Sequence, residues 1–321
     1  MKKLGKSLNG AGLFVLASLT VAGSAMVAAQ AGDHGRDHGY GHGKAHGRNH
    51  PAQFGEWSAP VSAEVGSDSE LNTPQNDGCP ILSPDGKDLY MASNRTGSTG
   101  LDIWVAHRER TTTGWGRPER LPAPVNTESD EFCPTPVRGH GLFFVSKRDE
   151  PNGDIYFVRQ TRHGWGTPQR LGPNINSSAQ EWSPSFFIDQ RGRPVLYFSS
   201  TRSGNQDIYR SVAWRPAEPV AELNTPVDDA RPNVRHDGLE IVFDSTRTPN
   251  AGVGTPDIWS ASRSSTSQPW SALRRLENLN SPAGESRASL SWDGSYMVFG
   301  STRPGEGSSD IYVTHRDRVR H

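Results

Sequence analysis

The chain has 321 residues, of which 34 are Lys or Arg and 35 are Asp or Glu, for a formal net charge of -1. That balance excludes a protein held to nucleic acid by a basic face. With 34 Gly, 24 Pro and 33% hydrophobic residues, the composition is that of many short strands joined by turns.

The first predicted element is a secretory signal over residues 1–31. Lys2, Lys3 and Lys6 form its basic start, an apolar stretch runs from Leu13 to Ala29, and Ala29-Gln30-Ala31 fits the small-x-small cleavage pattern. An uncleaved anchor is the other reading of this stretch. Cleavage would leave 31 basic against 35 acidic residues and no transmembrane span, in the periplasm or outside the cell. Residues 32–53 follow as a disordered His/Gly-rich leader, almost without aliphatic side chains. His34, His38, His42, His46 and His50 recur there every fourth residue, and a flexible tail could wrap a divalent metal ion with several of them. A linker that binds nothing is the plainer reading.

From residue 54 to residue 321 one unit recurs five times. Its clearest mark is Asp-Ile-aromatic: Asp102-Ile103-Trp104, Asp154-Ile155-Tyr156, Asp207-Ile208-Tyr209, Asp257-Ile258-Trp259 and Asp310-Ile311-Tyr312, at steps of 52, 53, 50 and 53 residues. Each unit reads as four strands. An Asn followed by Thr or Ser (Asn72, Asn126, Asn176, Asn224, Asn280) precedes an acid five residues on: Asp77, Glu131, Glu181, Asp229, Glu285. Pro80, Pro134, Pro184 and Pro232 come three residues later, with Ala288 in the fifth unit. This is the predicted inner strand, whose open edge at a central channel tolerates proline. A turn such as Pro84-Asp85-Gly86 leads to an apolar run ending in Ser-x-Arg, a pattern suited to a strand buried on both faces. The Asp-Ile-aromatic strand is third. An outer strand follows each of Trp57, Trp115, Trp165, Trp214 and Trp270.

The folded part begins with an outer strand and ends after the fifth Asp-Ile-Tyr, so the N-terminal strand is predicted to complete the last blade. The expectation is an all-β chain: a five-bladed β-propeller of four-stranded antiparallel blades, closed by its N-terminal strand.

The segment Leu82-Ser83-Pro84-Asp85-Gly86-Lys87-Asp88-Leu89-Tyr90, with Ser93-Asn94-Arg95 and Asp102-Ile103-Trp104, resembles the WD40-like propeller repeat of the TolB type. The resemblance spans residues 54–321. It implies a propeller and a role as an exported interaction module, a peptidase's propeller domain or a companion of cell-envelope proteins. The extra N-terminal domain of TolB and the Gly-x-Ser-x-Gly motif of the peptidases have no counterpart here.

Chemistry divides by whether it follows the repeat. The Ser-x-Arg arginines are predicted to pair with the Asp-Ile-aromatic aspartates across a hairpin: Arg95 with Asp102, Arg148 with Asp154, Arg202 with Asp207, Arg247 with Asp257, Arg303 with Asp310. Asp77, Glu131, Glu181, Asp229 and Glu285 are predicted to ring one channel mouth. There they either bind a divalent metal or cationic ligand, or bond the amides of their own turns. A glycosidase would instead use acids that break the repeat, because its two carboxylates need different environments. Asp244 is one, standing where the other units have Ala92, Val145, Ser199 and Gly300; Asp130 and Asp228 are others. Trp182 and Trp292 fall outside the tryptophan register and are candidates for an exposed binding face. Cys79 and Cys133 occupy equivalent places in neighbouring units, as a disulfide or as two structural thiols. With no acyl-transfer triad and no His-Glu-x-x-His motif in view, no catalytic residue is assigned and no cofactor is required. The leading expectation is a non-catalytic exported platform that binds a cell-envelope protein or peptide through loops at one face. A glycan-active hydrolase with a central-channel site and a metal-handling protein acting through the leader are the alternatives.

Overall fold

The computed structural model describes residues 53–66, 69–247 and 255–319. The signal segment and the five leader histidines lie outside the described residues.

Strand β1 (Val61–Ser62) comes first in the chain. The first blade holds β2 (Asp77–Leu82), β3 (Asp88–Ser93), β4 (Asp102–His107) and β5 (Glu119–Arg120). The second holds β6 (Glu131–Val137), β7 (Gly141–Ser146), β8 (Asp154–Thr161), a short β9 (Gly164–Trp165) paired off β8, and β10 (Gln169–Arg170). The third holds β11 (Glu181–Ile188), β12 (Pro194–Ser200), β13 (Asp207–Val212) and β14 (Glu218–Pro219). The fourth holds β15 (Asp229–Val234), β16 (Glu240–Ser245), β17 (Asp257–Ser262) and β18 (Ser271–Arg275). In the fifth, β19 (Glu285–Leu290), β20 (Tyr296–Ser301) and β21 (Asp310–His315) are completed by β1, with Val61 opposite Val313. All pairs within the blades are antiparallel, so the five-bladed ring and its closure are as the sequence predicts.

Second strands sit between neighbours and between blades, which is why β7 and β16 are buried along their whole length. Their Phe, Val and Ile side chains fill inter-blade layers, as with Phe143 and Val145 packed beside Leu196 and Phe198. The outer-strand tryptophans Trp57, Trp115 and Trp270 are buried, and each lies under an arginine at 4.0 to 4.2 Å (Arg316, Arg108 and Arg263).

The repeating asparagine is explained by its two-sided amide. Asn126 Nδ2 donates to the carbonyls of Ile103 and Leu121, while its Oδ1 accepts from the Ile103 amide. One side chain thus ties the turn before β6 to the third and outer strands of the previous blade. Asn72 does the same work at the closure, binding both the amide and the carbonyl of Ile311.

Every inner strand carries the same irregularity. The register slips between Gly78 and Ile81, Phe132 and Thr135, Trp182 and Ser185, Ala230 and Asn233, and Ser286 and Ser289. The first residue inside each slip is left-handed without being glycine: Cys79 (φ 52°), Cys133 (49°), Ser183 (53°), Arg231 (54°) and Arg287 (58°). In four of the five blades the residue after it is the repeating proline. The bulge therefore adds to the open edge as a reason proline is tolerated, because no ladder bond is asked of it.

Candidate functional site

The five acids that open the inner strands are each 0% exposed. Asp77 Oδ2 accepts from the amide and hydroxyl of Thr73 at 2.7 and 2.6 Å, and Oδ1 accepts from Ser93 Oγ and Arg95. Glu131, Glu181, Asp229 and Glu285 repeat this arrangement with Arg148, Arg202, Arg247 and Arg303, at N–O distances of 2.5 to 3.3 Å. Each acid is satisfied inside its own repeat, so the geometry does not bring the five together as one ligand ring. Among the described residues, no group of three or more His, Cys, Asp and Glu side chains is placed to hold one metal ion.

These contacts correct the predicted ion pairs. Arg95, Arg148, Arg202, Arg247 and Arg303 turn to the inner acids. The Asp-Ile-aromatic aspartates find other partners: Asp102 meets Arg120, Asp154 meets Arg170 and Asp257 meets Arg275, all from outer strands. Asp207 accepts from Ser203 Oγ, and Asp310 from the amides of Glu306 and Gly307. The serine of Ser-x-Arg lies opposite both acids at once, with Ser93 facing Asp77 on one side and Asp102 on the other. Proximity along the chain therefore could not choose between them. Both acids are buried and both need a partner, but the third-strand acid lies beside the outer strand and can be met from there, which leaves the Ser-x-Arg arginine to the inner acid.

With the repeating charges paired, what distinguishes this propeller is the set of bulge residues around its axis: Cys79, Cys133, Ser183, Arg231 and Arg287. Their backbone is alike and their chemistry is not. Cys79 and Cys133 are joined as a disulfide, with Cα atoms 5.0 Å apart. Equivalent positions on neighbouring blades come this close because the bulge aims both side chains at a narrow axis. Arg287 lays its guanidinium against Cys79 Sγ and Cys133 Sγ, with Ser183 Oγ at 3.5 Å. Arg231 bonds Asp244 at 3.0 Å, and its Nε is buried without a partner. Around these residues the channel keeps a cavity of about 30 Å3. That is room for water and about tenfold less than a whole-ligand pocket.

Asp244 is 1% exposed and stands behind the arginines on β16. Its two oxygens accept from the Arg287 amide of the next blade at 2.9 and 3.1 Å, the place where Ser199 accepts from the Arg231 amide. Burial pushes its carboxyl up to about 6, against the pull of the Arg231 charge and the Arg287 amide. The Arg287 guanidinium is pushed down to about 9, by burial first and then by the Arg231 charge. At the same end of the channel Asp130 is half-exposed. Burial would raise its carboxyl, but the Leu101 amide and Lys147 outweigh this and hold it below its ordinary range. Asp228, also exposed there, accepts from the Gln206 amide.

The two unregistered tryptophans do not share a face. Trp182 follows Glu181 at the acid end, packs edge-on against Phe132 at 5.4 Å and donates to the Asn152 carbonyl. Trp292 lies in the turn at the other end of β19, 42% exposed and stacked on His236 at 4.3 Å. Sequence reasoning passed over Arg231 and Arg287. The available signal was the position two residues after each inner acid, which reads Cys, Cys, Ser, Arg, Arg in an otherwise regular unit.

No protein-family model matches the sequence. A search of curated proteins finds no match. Solved structures do resemble the fold. The catalytic domain of an α-L-arabinofuranosidase from Coprinopsis cinerea matches at 12% identity and a TM-score of 0.54, covering 83% of this chain and 97% of that one. An endo-arabinase of Bacteroides thetaiotaomicron matches at 15% identity and a TM-score of 0.53, covering 83% of this chain and 99% of that one. A TolB-type structure from Agrobacterium tumefaciens matches at 16% identity and a TM-score of 0.48, covering 84% of this chain and 100% of that one. The likeness to the first two, at such identities, is one of fold. It also corrects the expectation of a non-catalytic platform: glycoside hydrolases recur among the similar structures, and the platform reading is set aside.

Proposed function

We propose that this protein is an exported glycan-active hydrolase that meets its substrate at the channel mouth where the inner strands begin. What supports the reading is a five-bladed fold of the kind glycoside hydrolases use, together with one observation at the axis. Asp244 is a carboxylate that breaks the repeat, and burial pushes it up to about 6. Glycoside hydrolysis needs one carboxyl that keeps its proton and one that has lost it. The reading gives Asp244 the acid's part at one remove: the carboxyl is 1% exposed, so its proton would reach the leaving oxygen through a channel water that gives up one proton and takes Asp244's. It offers Asp130, whose carboxyl is held below its ordinary range, as the carboxylate that draws a proton from water as the C–O bond breaks, with Asp228 the other acid at that end. The five inner acids are left out because each is already tied to an arginine and a turn. The cavity is too small for a sugar ring, so the ring would sit at the mouth and not inside. Export rests on the signal-like first 31 residues and on the Cys79–Cys133 disulfide, which suits an oxidising compartment.

The test is release of reducing ends from arabinan, xylan and polygalacturonan by the purified chain, with Asp244→Asn, Asp130→Asn and Asp228→Asn beside it. Activity on one polymer that is lost in Asp244→Asn and in one of the other two is the expected result. No reducing ends from any of the three polymers would sink the hydrolase.

A further inference from the structure

Arg231 and Arg287 bring two guanidinium groups to one narrow channel, and among the described residues Asp244 is the acid that answers them. Among the described residues, the side-chain contacts of Arg287 are sulfur and hydroxyl atoms and the Phe132 ring, none of them an anion. Arg231 spends one nitrogen on Asp244 and leaves its buried Nε unbonded. Such donors in a site of low polarity are costly unless something accepts from them. Both arginines line the cavity. Its volume of about 30 Å3 admits a group the size of a carboxylate but not the ring that carries it. Both residues sit at positive φ in the inner-strand bulge, and their side chains are placed by contacts with Asp244 and with the disulfide and Ser183.

We infer that the channel mouth binds one carboxylate of an acidic glycan, held by Arg231 and Arg287 with the sugar ring left outside. This rests on the glycan reading and adds a substrate class to it: uronic-acid-containing chains over neutral ones. Guanidinium suits the task because its flat fork matches the two oxygens of a carboxylate. Burial first, and then the Arg231 charge, lowers the Arg287 guanidinium, and a bound anion would relieve the second of these.

Calorimetric titration of the whole protein at low ionic strength tests this, with digalacturonate, neutral arabinobiose and acetate as probes. The expected result is binding of digalacturonate, about tenfold or more weakened in Arg287→Gln, with the other two probes bound at least about tenfold more weakly. Acetate binding as well as digalacturonate would overturn the sugar class and leave a site for a free anion only. Digalacturonate binding unchanged in folded Arg287→Gln and Arg231→Gln would overturn the site itself. If either variant fails to melt cooperatively, salt dependence of wild-type binding replaces it, and binding indifferent to salt overturns the proposal. Uronate binding without hydrolysis removes the hydrolase and leaves the site. Hydrolysis of neutral arabinan with no uronate binding does the reverse.

Discussion

Replacing Asp244 by Asn should change how the stability of this protein responds to pH. In the folded chain the Asp244 carboxyl is pushed up to about 6 from 3.8, mainly by burial. A raised carboxyl favours the folded state while protonated, so its contribution is complete below pH 3.8 and fades as pH rises through 6. Over the full range the shift is worth about 3 kcal/mol. Between pH 8 and pH 5, a range that stops short of the unfolded carboxyl's own 3.8, about 1.4 kcal/mol of it is recovered. Asn keeps an acceptor for the Arg287 amide and cannot titrate. Urea unfolding of wild type and Asp244→Asn at pH 8 and pH 5 therefore has a defined outcome: wild type gains about 1.4 kcal/mol on acidification that the variant does not. Parallel pH profiles, or a gain in the variant instead, would refute the burial-driven shift. They would also take away the reason for casting Asp244 as an acid.

Other parts of the fold make equally direct predictions. Arg202→Ala leaves Glu181 buried with no guanidinium and should cost about 3–5 kcal/mol in chemical denaturation; a loss under about 1 kcal/mol would mean the pair contributes little. Cys133→Ser opens a link between residues 54 apart and should cost about 4 kcal/mol by loop entropy, read against the reduced wild type, which should match it. Asn126→Ala removes three buried hydrogen bonds between two blades and should lower stability by about 2–4 kcal/mol, whereas Asn126→Asp should rescue only the bond from the Ile103 amide.

The architecture was legible because the features that make a blade recur. The Asp-Ile-aromatic step, the Asp-Gly turns and the buried second strands each follow from local pattern, and the unmatched outer strand at Trp57 exposed the closure. The inner acids were found as well, at the first residue of each inner strand. Their partners were not, because the serine of Ser-x-Arg faces an acid on either side and sequence spacing weighs only the nearer one. The channel was the least legible part. A left-handed bulge at Cys79 or Arg287 carries no glycine to announce it, and in Cys79, Cys133, Ser183 and Arg231 it precedes a proline that ordinarily discourages such a conformation. Only the assembled ring shows that those five side chains meet, and that the disulfide spans two blades.

The closing strand has a consequence for the order in which the molecule is made. Blades are local, and most of their pairing can form as each 50-residue stretch leaves the ribosome. The pairing of Val61 with Val313 is the exception, since the first strand synthesised waits for the last. Until then the fifth blade lacks its fourth strand, and the chain carries a loose segment in search of an edge, the circumstance in which one copy can lend its strand to another. The two residues of β1 are only the regular part of that closure: the amides of Gly55, Ser58 and Ala63 donate to the carbonyls of Asp317, His315 and Ile311, and Trp57 is buried under Arg316. A strand lent to another copy would have to reproduce all of these contacts, which favours the chain's own end as the partner.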